Sequence, residues 1–130
     1  MTDATPSPTW SPDVLAAIAD SDDLHVSPFR EDGRTYGTPT WIWSVVVDGH
    51  LYVRAWNGRR SRWYQAAITQ QAGRIRAAGA EYDVGFEESD PSLSVRIDAA
   101  YERKYVGSSS LSPMLQDGPT SATVRITPAG

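Results

Sequence analysis

The run Thr40-Trp41-Ile42-Trp43-Ser44-Val45-Val46-Val47, then Asp48-Gly49, then His50 to Trp56, constrains the fold more than any other stretch. The first segment is rich in β-branched and aromatic residues and is apolar on both faces, which marks a strand. Asp-Gly is the signature of a tight type I′ turn, because both central residues must adopt positive φ. His50 to Trp56 is then its antiparallel partner. Period-two alternation puts Leu51, Val53 and Ala55 on one face and Tyr52, Arg54 and Trp56 on the other. Trp41 and Trp43 share a face with Val45, and two tryptophans on one strand are more often core or interface than ligand platform.

Elements on either side read less sharply. Ser11-Pro12-Asp13 is a helix start, with serine as N-cap and proline at the first helical position. Val14, Leu15, Ile18 and Ala19 recur at helical spacing, giving a short helix to about Asp20. Residues 1–10 form a flexible lead-in, and 11–130 form a single domain. Asp22 to Pro28 reads as a strand with Leu24 and Val26 on one face, and Arg30 to Thr38 as a loop. Ser61 is placed to cap a second helix to about Gln71. Gly73 to Ala78 and Tyr82 to Glu87 are strand candidates separated by Gly79. Ser92 or Ser94 opens a third helix to Tyr105, with Val95, Ile97, Ala100, Tyr101 and Tyr105 on its buried side. Ser108 to Gly118 reads as a loop, and Ala122 to Thr127 as a closing strand. The expected fold is mainly β with three short helices, a small antiparallel sheet of five or six strands curled into a partly open barrel.

Composition removes several classes of function. The 130 residues include no cysteine, so disulfides, thiolate nucleophiles and thiolate metal sites are excluded. No apolar run approaches the roughly 20 residues of a membrane-spanning helix. The N-terminus lacks a basic region followed by an apolar one, so a signal peptide is not expected and the cytoplasm is the expected location. Neither His25 nor His50 sits in metal-ligand spacing. Asp98 and Glu102 lie four apart on the third helix, a spacing able to hold a cation, but no further ligands accompany them. Nothing resembles a nucleophile elbow, a phosphate loop or a dinucleotide fingerprint, so chemistry would have to come from a cofactor.

The strongest functional signal is electrostatic. The formal net charge is -4, yet no acidic residue lies between Asp48 and Glu81, where six arginines stand: Arg54, Arg59, Arg60, Arg62, Arg74 and Arg76. Tyr52, Trp56, Trp63 and Tyr64 are threaded among them. Guanidinium groups beside flat aromatic surfaces suit a ligand anionic at one end and planar at the other. Arg54 to Tyr64 is strand, turn and helix start in quick succession, and a helix start exposes unpaired N–H groups to an anion. Gly58 would let the backbone approach a ligand closely. Arg30 and Arg34, flanking Glu31-Asp32-Gly33, are candidates for a second anion contact if the sheet curls. The competing reading is a solvated, salt-bridged surface with Ser61 merely a cap.

Pro28-Phe29-Arg30-Glu31-Asp32-Gly33, Gly37-Thr38-Pro39-Thr40-Trp41-Ile42-Trp43, Leu51-Tyr52-Val53-Arg54, Asn57-Gly58-Arg59-Arg60-Ser61-Arg62-Trp63-Tyr64 and Ile97-Asp98-Ala99-Ala100-Tyr101 together resemble a bacterial family catalogued as domain of unknown function 2255, over about residues 12 to 128. More distantly, the chain resembles the flavin-binding split-barrel group, especially its deazaflavin-dependent nitroreductase branch. That likeness implies a groove lined by Arg54, Ala55, Trp56, Asn57, Ser61 and Trp63, holding flavin mononucleotide (FMN) or a deazaflavin, in a homodimer. It departs from the group where Arg30-Glu31-Asp32-Gly33-Arg34 replaces a basic phosphate segment. The candidate cofactor-binding set is therefore Arg54, Ala55, Trp56, Asn57, Gly58, Ser61, Arg62, Trp63, Arg30 and Arg34, with no metal. The first expected function is an oxidoreductase acting on a small molecule. The alternative is a cofactor-free member of the same fold that binds or transforms an anionic aromatic metabolite. Nucleic-acid binding on an Arg/Trp strip is a third, less favoured reading.

Overall fold

The computed structural model describes residues 10–129. It contains helix α1 (Pro12–Ala19), strands β1 (Leu24–Pro28), β2 (Thr40–Trp41), β3 (Ser44–Val47) and β4 (His50–Arg54), a 3-10 turn at Gly58–Arg60 and helix α2 (Arg62–Gln70). Strands β5 (Ala72–Ala77) and β6 (Ala80–Glu88), a 3-10 turn at Pro91–Leu93, helix α3 (Ser94–Lys104), the short helices α4 (Leu111–Met114) and α5 (Asp117–Ser121), and strand β7 (Thr123–Pro128) follow. All seven strands join one antiparallel sheet in the order β2-β1-β5-β6-β7-β4-β3.

That order forces the sheet to curl. β2 and β3 are its opposite edges, yet only Ile42 and Trp43 separate them in sequence. Six strand spacings would hold the edges of a flat sheet ~29 Å apart, whereas three Cα steps span at most about 10 Å. The predicted single strand Thr40–Val47 is accordingly two. The run leaves its pairing with β1 at Trp41 and begins pairing with β4 at Ser44. Backbone groups stranded at this corner are satisfied by one face of α3. The Tyr101 hydroxyl donates to the Trp43 carbonyl at 3.3 Å, and Lys104 Nζ donates to the Ser44 carbonyl at 2.8 Å. The Tyr105 hydroxyl accepts from the Ser44 N–H at 3.1 Å, and its ring stacks on Trp43 with centroids 3.9 Å apart.

Two cores result. The barrel interior gathers Leu24, Val26, Leu51, Val53, Ala55, Ile75, Val84, Phe86 and Ile126, with Leu15 and Ile18 of α1 and Ala67 of α2 beside them. A second core lies outside the β3–β4 hairpin, where Val45, Val47 and Tyr52 meet Ile97, Ala100 and Tyr101 of α3 and Tyr105 just beyond its end. β4 is thus covered on both faces. The Asp48-Gly49 turn has φ of 50° and 80°, and Ala78-Gly79 repeats that geometry at 51° and 81°, as the type I′ reading requires.

Several expectations change. Residues 1–9 of the lead-in lie outside the described residues, but Trp10 is buried and its indole donates to the Ile126 carbonyl at 2.9 Å. Among the described residues five α-helical segments replace three, because the presumed loop Ser108–Gly118 contains α4 and opens α5. Val95 is exposed rather than on the buried side of α3. Its neighbours Ile97, Ala100 and Tyr101 already fill the stripe that one helical face offers to the sheet.

Candidate functional site

A cleft of about 400 Å³ opens at the corner where the sheet closes. Thr40, Trp41, Ile42 and Trp43 form one wall, and Arg54, Trp56 and Asn57 continue it from the end of β4. Ser61 and Trp63 at the start of α2 face them, and Ser110, just before α4, and Met114 at its end close the cleft. Trp41 and Trp56 are each half exposed at the rim. The strand break brings Trp41 here: it leaves the indole outside both cores, its Nε1 donating to the Asp22 carbonyl at 2.7 Å.

Arg54 sits on the cleft floor, buried, with 0% exposure. Its Nε donates to Thr123 Oγ1 at 3.0 Å, and Nη1 donates to Asp98 Oδ1 at 2.6 Å and to the Met114 carbonyl at 3.3 Å. The guanidinium carbon lies 5.3 Å from the centre of the Tyr101 ring, a cation–π contact strengthened by the lack of water. Nη2 is buried and has no hydrogen-bond partner among the described residues. Burial pushes the Tyr101 phenol far above its ordinary range, so it remains a neutral donor beside the charge pair.

The candidate residues divide. Arg54, Trp56, Asn57, Ser61 and Trp63 are brought together. Ala55 is buried in the barrel core and turns away from the cleft. Gly58 has φ +68°, and a Cβ there would lie 3.3 Å from the Gly118 carbonyl; its close approach is to α5, not to a ligand. Arg62 and Arg30 instead share a second, more open hollow with Glu31, Asp32 and Gln65. Arg34 does not line the cleft. It belongs to the turn that Asp32 organises by accepting from the Arg34 and Thr35 N–H groups and from the Thr35 hydroxyl. Those bonds hold the Asp32 carboxyl at about 2. The Ser61 hydroxyl makes no cap bond, although its carbonyl accepts the first helical bond from the Gln65 N–H at 3.0 Å.

Three of the six clustered arginines, Arg54, Arg59 and Arg74, are answered by acids from outside the stretch. Arg59 meets Glu88 at 3.0 Å, and Tyr64 donates to the same carboxylate at 2.8 Å. Burial and that bond push the Tyr64 phenol up to about 12. Arg74 lies 3.6 Å from Asp83 and stacks 4.0 Å over the Tyr36 ring. Asp98, weighed as half of a cation site with Glu102, is instead the counter-ion of Arg54. Sequence reasoning missed Trp41 and Trp43 as cleft walls, and it missed Ser110 and Met114 because their segment reads as a loop. The run itself carried no signal of the break, because aromatic and β-branched residues suit one strand as well as two.

Fold and cleft together define a small, curled, antiparallel β protein with a tryptophan-walled cleft beside a buried guanidinium. The chain belongs to the bacterial family described as "Uncharacterized protein conserved in bacteria (DUF2255)", whose family model matches residues 14–126. No curated protein matches it. Among solved structures it is similar to the crystal structure of the conserved hypothetical protein Rv2991 from Mycobacterium tuberculosis, with a TM-score of 0.58 and 15% identity. That alignment covers 99% of this chain and 86% of the other, and at such identity it speaks for a shared fold alone. Among the described residues no helix is long and apolar enough to cross a membrane.

Proposed function

We propose that the cleft binds a flat heteroaromatic cofactor, FMN or a deazaflavin, and that the chain is a split-barrel oxidoreductase acting on a small organic molecule. The observation that carries this reading is the convergence of Trp41, Trp43, Trp56 and Trp63 around the buried Arg54 guanidinium in one open cleft. Indole faces offer stacking area to a ring, and a buried donor fixes its orientation. The cofactor would supply two-electron chemistry, while the chain supplies binding and exclusion of water. In this proposal two copies pair so that the half-exposed Trp41 and Trp56 are covered.

The test is the absorbance of freshly purified protein followed by titration with FMN and a deazaflavin, read by tryptophan fluorescence. Saturable quenching at micromolar concentration is expected, because Trp56 and Trp63 flank the docking space. Colourless protein that responds to neither compound refutes the cofactor reading. Elution at the monomer mass in gel filtration refutes the pairing.

One observation bears on the second reading, a cofactor-free protein binding an anionic aromatic metabolite, by limiting it to a ligand that asks for a single polar contact. Arg54 is the sole cation among the residues lining the cleft, and Asp98 already neutralises it. A compact ligand with one carboxylate or carbonyl makes fewer demands on such a site than a phosphorylated cofactor.

A further inference from the structure

We propose that the cleft selects its ligand by the ring and by one carbonyl oxygen on it, taken by Arg54 Nη2, and does not read a phosphate. The favoured class is a planar heteroaromatic carrying a carbonyl, whether or not a phosphate hangs from it. The proposal rests on the ring-binding reading of the cleft and narrows it.

Arg54 has spent all but one end. Nε goes to Thr123 and Nη1 to Asp98 and Met114, leaving Nη2 buried without a partner. A buried N–H group left unpaired is costly, and an acceptor brought by a ligand removes that cost. Asp98 at 2.6 Å cancels the charge, so what remains is directional hydrogen bonding rather than attraction for an anion. Met114 shares the wall with Arg54, and its unbranched side chain can shift to admit a ring edge.

A phosphate would need cations at the cleft, and Arg54 is the sole one among the residues that line it. Arg59 is held by Glu88 and by the Ser121 carbonyl at 3.1 Å. Arg30 and Arg62 line the second hollow, and Arg74 faces Glu81 and Asp83. The start of α2 contributes only about half a charge.

The experiment is fluorescence titration of the full chain with lumichrome, which is the ring alone, with riboflavin and with FMN, at low and high salt. Affinities within about twofold of one another, insensitive to salt, are expected. FMN binding tenfold or more tighter than riboflavin, with the gain lost in high salt, overturns this inference and leaves the ring reading standing. No quenching by any of the three overturns both. Phenazine, a tricycle of similar shape without carbonyl oxygen, is expected to bind the unmodified protein at least roughly tenfold more weakly than lumichrome; equal affinity overturns the role of Nη2. Arg54→Lys keeps a cation for Asp98 and removes Nη2. With circular dichroism unchanged, it should weaken lumichrome by about tenfold, and unchanged affinity in the folded variant counts against the assignment.

Discussion

Arg54 and Asp98 show how much depends on which partner of a charge pair is buried. The arginine is inaccessible to water, while the Asp98 side chain is about one-third exposed (32%). Removing the exposed partner strands a charge in the interior, which costs roughly 3 kcal/mol or more. Asp98→Ala should therefore lower the unfolding free energy measured by urea denaturation by that amount, and Asp98→Asn, which still accepts a hydrogen bond, by less. Arg96 and Asp48 form a comparably short pair with both side chains mostly exposed. Arg96→Ala should cost under about 1 kcal/mol, a contrast that the same denaturation series will resolve. Arg54 was legible in the sequence as an arginine between two aromatics on a strand face. Its partner was not, because strand alternation says nothing about which helix, 44 residues on, will cover that face.

At the scale of elements, glycines record where backbones touch. A Cβ on Gly73 would lie 2.5 Å from the Ser27 carbonyl oxygen and 2.6 Å from Pro28 Cα, where β1 pairs with β5. Neither atom is the free end of a side chain, so Gly73→Ala should destabilise by about 3 kcal/mol or more. Gly79 faces open space at φ +81°, and Gly79→Ala should cost only about 1–2 kcal/mol, from backbone conformation alone. Thermal unfolding of the two variants side by side checks the difference. The hairpins were readable because their turns carry local chemistry, as Asp48-Gly49 and Ser11-Pro12 do for the elements beside them. The corner at Ile42-Trp43 was not, since nothing local distinguishes one apolar strand from two that pair with different neighbours. α4 and α5 were hidden for a related reason. Their serines, prolines and glycine favour turns, and it is packing of Met114 and Pro119 that makes them helical.

The whole molecule carries an alkaline liability. Burial raises the phenols of Tyr52, Tyr64, Tyr101 and Tyr105 above 10. Each such group favours the fold while protonated, so its contribution is complete below the unfolded value near 10 and is lost as pH rises through the higher folded values. Lys104 opposes this weakly. Burial lowers its affinity for a proton, so its unfavourable contribution fades as pH approaches 10.5. The phenols outnumber it, and chemical denaturation midpoints should fall steadily above pH 10, with phenolate absorbance appearing together with unfolding.

The two-residue link between the sheet's edges also bears on how the protein behaves in a crowd. Open sheet edges invite strands from other molecules, and the end state of that invitation is fibrous aggregation. Here Ile42 and Trp43 stitch one edge to the other, and Tyr101, Lys104 and Tyr105 occupy the backbone groups beside the stitch. An invading strand would find the Trp43 carbonyl and both backbone groups of Ser44 already claimed at that corner, and no gap to widen without breaking a covalent chain.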